Sequence, residues 1–405
     1  MLNRSLRSIC ENRLYATICF DPEPWRTARL FQTLQTRPDL ALRVRHLEIN
    51  ASFWDGLSKQ TPAAMRSDGT NGLWMVHNVR SLTLTGLRDW IHVSQGTGFR
   101  EAVSLMDLTH LGIEGVYHDA IPRVEIQEWD RYFFKDVLAI LPAQPSLKSL
   151  TLARCAISPP ALENFESRLS REDVPALKIL TARSDVAAAF LNRISGLESI
   201  TLTIEEPTDF VPGPIWMGTA ANRASVRELT LRLCQHENWA RERVSAYMAL
   251  FPNLDTLRIV LAPYYHCALT LPEGVKACLD TLTSTIHVLP SIRCLEIEYE
   301  INREIPVGAI LVPREGYISA YWEDEQIFAK LDEFIKEIKS VCPTLETVVD
   351  PKRRLWDLSD SASSDGRFPA KLVGKVEPER EPFFIDYPHL ERKSRRTLRD
   401  FLGWS

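Results

Sequence analysis

The chain has 405 residues, 45% hydrophobic and 25% charged, which is ordinary globular composition and enough for two or three compact domains or one elongated array. A formal charge of −5 and an isoelectric point near 6.1 exclude the strongly basic balance of a protein built to hold nucleic acid or an anionic membrane surface.

The first clear regularity begins at Val44. A pattern of apolar-x-x-apolar-x-apolar runs through Val44-Leu47-Ile49, Val79-Leu82-Leu84, Leu108-Leu111-Ile113, Leu147-Leu150-Leu152 and Leu197-Ile200-Leu202. It continues through Val226-Leu229-Leu231, Leu254-Leu257-Ile259 and Ile292-Leu295-Ile297, with weaker copies at Leu177-Leu180-Ala182 and Leu345-Val348-Asp350. Residues two apart on a strand share a face, so each unit predicts a short strand that turns two side chains into a core and one outward between them. A strand this short is stable only when stacked on like neighbours, which predicts an array.

The spacers show helical periodicity. Trp239, Ala240, Val244, Tyr247, Met248 and Phe251 recur at three and four, as do Leu279, Leu282, Ile286 and Leu289. "DVAAAFLNRI" and "SPPALENFESRL" read as helices, the second with Ser158 as cap and Pro159 in the first turn. In five units a proline (Pro145, Pro175, Pro252, Pro290, Pro343) stands two positions before the first apolar residue, where it separates a helix from the next strand. After Ile301 the pattern thins. "DEQIFAKLDEFIKEIKSVCP" predicts an amphipathic helix through Ile327, Phe328, Leu331, Phe334, Ile335 and Ile338 that caps the array together with the tenth strand. "SDSASSDG" reads as a flexible link, and the basic stretch from Arg392 to Arg399 reads as a solvated terminal helix or a docking tail.

The unit "LKSLTLARCAI" places Leu147, Leu150, Leu152, Cys155 and Ile157 on the pattern L-x-x-L-x-L-x-x-N/C-x-L, and Leu229, Leu231 and Cys234 repeat part of it. On these residues the chain resembles the leucine-rich-repeat family. The units start from 20 residues apart (Leu177 to Leu197) to 53 apart (Ile292 to Leu345), against about 20 to 29 in regular arrays. The expected fold class is therefore α/β: an irregular leucine-rich-repeat-like solenoid with parallel strands on the concave side and helices on the convex side.

The segment "ENRLYATICFDPEPWRTARLFQTLQTRPDLALRVRHLEI" is similar to the part that follows the F-box in fungal F-box/leucine-rich-repeat proteins, and "LRSIC" before it resembles the end of an F-box helix. The Leu-Pro start of that motif is absent, so the F-box is incomplete. The resemblance implies an adaptor contact through Leu2, Leu6 and Ile9 to a Skp-type adaptor and cullin, with the repeats holding a protein substrate. A stub of three apolar residues is small against the roughly 800 Å² per partner of a stable interface. The alternatives are a chain that begins at an internal methionine or a member that has lost the adaptor link. The expected domains are an N-terminal helical segment over 1–42, the solenoid over 43–300, a capping helix and strand over 301–350, and a flexible charged tail over 351–405.

The eight cysteines, at 10, 19, 155, 234, 267, 278, 294 and 342, contain no CxxC pair, so neither a zinc site nor a disulfide framework is indicated. The N-terminus lacks a signal-length apolar run, and no stretch of about 18 apolar residues occurs, which predicts a soluble cytoplasmic or nuclear protein. No G-x-S-x-G, GxxxxGK[ST] or G-x-G-x-x-G motif is present, and "HENWA" lacks the second histidine of a helical zinc pair. Glu125, Glu128, Asp130 and Asp136 read as a solvated helix face. No catalytic, cofactor or metal residue is assigned.

What is left is a binding surface. The outward column runs Glu48, Thr83, Gly112, Thr151, Thr181, Thr201, Thr230, Arg258, Glu296, flanked by His46, Arg232 and Glu298. The threonines suit strands regardless of function. Arg232, Arg258, Glu296 and Glu298 predict a mixed-charge patch that orients a protein partner, with His46 and Glu48 at the other end. Trp54, Trp74, Trp90 and Trp216, in the insertions, read mainly as core anchors. Two roles remain open: an F-box-type ubiquitin-ligase substrate receptor, or a stand-alone protein-interaction scaffold.

Overall fold

The computed structural model describes residues 4–20, 30, 32–50, 76–87, 99–115, 134–153, 159–204, 219–233, 247–261, 282–284, 286, 289, 291–299, 333–335, 337–350, 354–359 and 371–375. The chain divides into two compact units, 1–232 with 242–257, and 233–241 with 258–405.

In the first unit a helix α1 (Arg4–Ala16) leads into strand β1 (Thr17–Phe20). Strands β2 (His46–Asn50), β3 (Ser81–Leu87), β4 (His110–Gly115), β5 (Ser149–Ala153), β6 (Ile179–Arg183) and β7 (Ser199–Ile204) follow, and β8 (Glu228–Leu233) begins in the same unit. The strands lie in chain order, and every pair from β1 to β7 is parallel. Each apolar residue of the repeated pattern from Val44 to Leu231 is buried. The alternation of short strands therefore does what its period requires, filling one side of the sheet and leaving the other half-exposed.

Register is set before each strand begins. The amide groups of Arg80 and Ser81 both donate to the carbonyl of Arg45 (2.8 and 3.0 Å), and those of Lys178 and Ile179 both donate to the carbonyl of Lys148 (2.9 and 3.0 Å). The carbonyls of Arg80, Thr109, Lys178, Glu198 and Arg227 each receive two amides in the same way. Each strand is thus pinned to its neighbour at one fixed position, whatever the length of the spacer between them.

The filled side is covered by the spacers. Helix α2 (Pro159–Arg168) and helix α3 (Ser184–Arg193) pack together, and α3 also packs on β6 and β7. Phe165 of α2 lies between Phe134, from a helix over 134–140, and Phe190 of α3, with ring centroids 5.0 and 5.7 Å apart. All three rings are buried. Side-chain amides tie successive spacers: buried Gln144 donates to the carbonyl of Val103 and accepts from the amide of Leu108, both at 2.8 Å. Asn78, Asn222 and Asn253 donate to the carbonyls of Leu42, Leu191 and Ala224. Gly196, at φ 90, turns the chain from α3 toward β7 across the shortest spacer, a left-handed conformation that glycine adopts without strain.

Strand β9 (Thr256–Leu261) starts in the first unit and continues into the second, which also holds β10 (Cys294–Tyr299) and β11 (Thr347–Val349), the latter two parallel. Leu282, Ile286 and Leu289 are buried here, as are Phe334, Ile335 and Ile338, which lie in helical segments before β11. Then the direction reverses: β12 (Arg354–Asp357) and β13 (Lys371–Lys375) add on antiparallel. Asp350 stands where the earlier units carry an apolar residue, and it is fully buried. Its carboxylate accepts from the Arg354 amide (2.9 Å), Arg354 Nε (2.5 Å) and Trp356 Nε1 (3.0 Å), while its own amide donates to the Arg354 carbonyl. The Arg354 guanidinium lies 5.0 Å over the Trp356 ring. A carboxyl group satisfied from three donors replaces apolar packing and ties Asp350 to β12.

The fold is an irregular leucine-rich-repeat-like α/β solenoid, with parallel strands on one side and helices on the other. One expectation is corrected. Asp136 is buried on the helix over 134–140 and paired with Arg100 at 3.7 Å, not part of a solvated face, because the helix turns it inward one residue before Val137. Ser158, Cys155, Ile157, Cys234, Glu125, Glu128, Asp130, the four tryptophans of the insertions and the basic stretch 392–399 lie outside the described residues.

Candidate binding face

The open side of the first unit's sheet is a set of aligned columns. Register places Cys19, Glu48, Thr83, Gly112, Thr151, Thr181 and Thr201 side by side on successive strands. A second column holds Thr17, His46, Ser81, His110, Ser149, Ile179 and Ser199. From β5 to β7 short hydroxyl side chains (Ser149, Thr151, Thr181, Ser199, Thr201) prevail, so that part of the floor is neutral and able to donate or accept. Gly112 interrupts the threonines: a Cβ there would sit 3.3 Å from the Thr83 hydroxyl and methyl, so the gap lets Thr83 rest against the backbone of β4.

Charge gathers at the β1–β4 end. Burial raises the Glu48 carboxyl above its ordinary value, opposed by the hydrogen bond from the Cys19 thiol. Cys19 is pushed up to about 12, first by burial and then by the Glu48 charge and hydrogen bond, so the thiol stays protonated. His110 is held below its ordinary value, first by burial and then by the charges of His46 and Lys148; its Nδ1 lies 2.8 Å from the Thr109 hydroxyl. The predicted pair His46 and Glu48 therefore does sit on this face, on one strand, with Cys19 and His110 as neighbours that sequence reasoning did not single out.

A second row runs along the lip of the face, one residue before each strand: Arg45, Arg80, Thr109, Lys148, Lys178, Glu198, Arg227 and Asp255. These are the residues whose carbonyls and amides set the register. Arg80 pairs with Asp107, Lys178 with Glu198 at 2.5 Å, and Arg227 with Asp255 at 3.9 Å. Arg45 instead donates to the carbonyls of Leu42, Val44 and Asn78. The row was present in the sequence as a basic residue directly after the first apolar position of the unit, at Arg45, Arg80, Lys148, Lys178, Arg227 and Arg293.

In the second unit, Arg258 on β9 joins Glu296 and Glu298 on β10. Its Nε lies 3.5 Å from Glu296, and its terminal nitrogen lies 2.5 Å from Glu298. Glu298 keeps only 11% of its side-chain surface. The three predicted residues meet, but they largely satisfy one another. Arg232 belongs to the first unit, on β8. Of the predicted adaptor contacts, Ile9 is 54% exposed on α1; Leu2 lies outside the described residues, and of Leu6 only the helical backbone is described. Leu14, on the same helix, is 72% exposed.

No family model and no curated protein matches the chain. Among solved structures it is similar to the leucine-rich repeat-containing protein LegL7 from Legionella pneumophila, at 14% identity over 89% of this chain and 91% of that one, with a TM-score of 0.39.

Among the described residues no group of three or more His, Cys, Asp or Glu is placed to hold a metal ion, and no helix is long and apolar enough to cross a membrane. The arrangement offers a rigid surface with hydrogen-bonding and charged groups at fixed spacing, which is the equipment of recognition.

Proposed function

We propose that this is a protein-binding repeat protein whose partner lies on the outward face of β2–β8 of the first unit, with His46, Glu48 and Arg232 at its margins; Arg258, Glu296 and Glu298 form a separate mixed-charge patch of the second unit for a protein contact of its own. The observation that carries this reading is the register-aligned hydroxyl floor from Thr83 to Thr201, held rigid by a filled core beneath it. A cytoplasmic or nuclear scaffold without chemistry of its own fits that arrangement, with residues 43–300 as the binding body. The test is capture from lysate by the full chain and by the double variant Thr181→Arg, Thr201→Arg. A partner held by the wild type and lost by an equally stable variant supports the proposal; equal recovery refutes it.

The finer reading, a substrate receptor of an F-box-type ligase, draws on the resemblance of residues 11–49 and on one feature of α1, the exposure of Ile9 and Leu14. Isolated apolar residues on a surface helix are ordinary, and Ile9 and Leu14, five positions and so about 140° apart around α1, offer separate single contacts and not a stripe. Purified Skp-type adaptor should then bind the chain and release the variant Ile9→Asp, Leu14→Asp. Absence of binding leaves the stand-alone scaffold.

A further inference from the structure

The lip of the first unit carries a charge pattern that the overall composition conceals. From β2 to β6 its residues are Arg45, Arg80, Thr109, Lys148 and Lys178, four cations and a hydroxyl, although the chain as a whole is at −5. All four cations are exposed. Two are answered by carboxylates, Arg80 by Asp107 and Lys178 by Glu198. Among the described residues Arg45 donates to carbonyls and Lys148 has no acidic partner. Beyond Lys178 the row changes character: Glu198, Arg227 and Asp255 alternate in sign and cancel along the row. The basic stretch therefore has a definite length and a definite end.

We infer that this stretch is a docking strip for an acidic segment of the partner protein, lying across the strands from β2 to β6. The inference rests on the protein-binding reading above and adds the partner's chemistry. Strand starts are about 4.8 Å apart, so four steps span about 19 Å, which roughly six residues of extended peptide cover. Carboxylates on such a segment meet fixed cations at the lip, while its backbone passes over His46, His110 and Ser149 just inside. Electrostatic matching of this kind sets orientation and speeds encounter. A nucleic-acid strand is the poorer occupant. The described face of β2–β6 carries no Phe, Tyr or Trp on which bases stack, only the imidazoles of His46 and His110, and Glu48 and Glu114 stand on it, where they repel phosphates.

The probe is a fluorescein-labelled octaglutamate peptide, followed by anisotropy with the full chain. Binding is expected at about 50 mM salt and weakens at least about tenfold at about 500 mM as the charges are screened. Lys148→Glu should weaken it about tenfold and Lys148→Met less, whereas Glu198→Lys, which lengthens the strip and releases Lys178, should tighten it several-fold. Both side chains are exposed, so the thermal midpoints of all three variants should stay close to wild type. No octaglutamate binding at low salt, or equal binding by Lys148→Glu, overturns the inference. So does tighter binding of an oligothymidylate of matched charge, which assigns the strip to nucleic acid. A partner lost by the Thr181→Arg, Thr201→Arg variant, together with silence toward octaglutamate, would refute the acidic strip alone and leave the floor as the binding surface.

Discussion

Replacing Phe165 with alanine removes the middle member of a three-ring stack. The side chain is fully buried, with Phe134 edge-on at 5.0 Å and Phe190 tilted at 5.7 Å. Truncating a buried phenylalanine costs about 3–5 kcal/mol, most of it lost transfer energy and the cavity left behind. Two ring pairs at about 0.5–1.5 kcal/mol each lie within that sum, so Phe165→Leu, which keeps most of the volume but neither ring contact, should cost about 1–2 kcal/mol. In a repeat array each unit touches only its neighbours, so the damage should be local first. Urea unfolding followed by circular dichroism gives the energies, and amide hydrogen exchange gives the place: protection should fall in residues 134–140, α2 and α3 before it falls in α1. A cost below about 1 kcal/mol for Phe165→Ala, or equal loss of protection along the whole unit, would show that the stack is not what joins these helices.

Four further outcomes are expected. Leu257→Asp places a charge at a fully buried strand position, costing several kcal/mol, and should unfold the array. Arg258→Glu, one residue on, sets three carboxylates together at a partly exposed site, and a loss of about 1–2 kcal/mol in thermal melts is expected; a neutral result would mean that the Glu298 contact is weak. Because Glu48 is raised, the native state holds its proton to higher pH than the unfolded chain, so stability should fall as pH climbs through the ordinary carboxylate value to the raised one. Glu48→Gln should lack that fall in urea midpoints, and should also let Cys19 alkylate faster at about pH 8.5, since the Glu48 charge helps keep the thiol protonated. Finally, Asp350→Leu restores the repeat's apolar pattern yet should destabilise by about 3–5 kcal/mol in thermal unfolding, because Arg354 and the Trp356 indole lose their acceptor; a stabilised variant would refute the role given to this carboxylate.

The strands were legible because their signal is strict. Period-two alternation with a fixed offset, as in Leu147-Leu150-Leu152, leaves few alternatives, and prolines such as Pro145 and Pro175 stand at the turns that precede β5 and β6. The outward column from Glu48 to Thr201 followed from the same arithmetic. Strand β1 was harder to see because the first member of its pattern, Tyr15, belongs to helix α1 and no spacer separates the two, and β12 and β13 because antiparallel addition depends on Asp350 and its donors rather than on any period. Sequence also placed Arg258, Glu296 and Glu298 on one side without revealing that they pair among themselves, since pairing depends on side-chain reach. The lip was written in the sequence but not read, because its residues alternate with nothing: they matter through their backbone groups as much as their side chains.

The buried Asp350 has a consequence for how such a chain can lengthen. A copy of the final unit would carry its own stop signal, an acid that demands an arginine and an indole and turns the next strand around. Growth by duplication at that end is self-limiting, so new units must be inserted upstream, where the paired amides at each strand start accept a spacer of almost any size without disturbing the rows on either side.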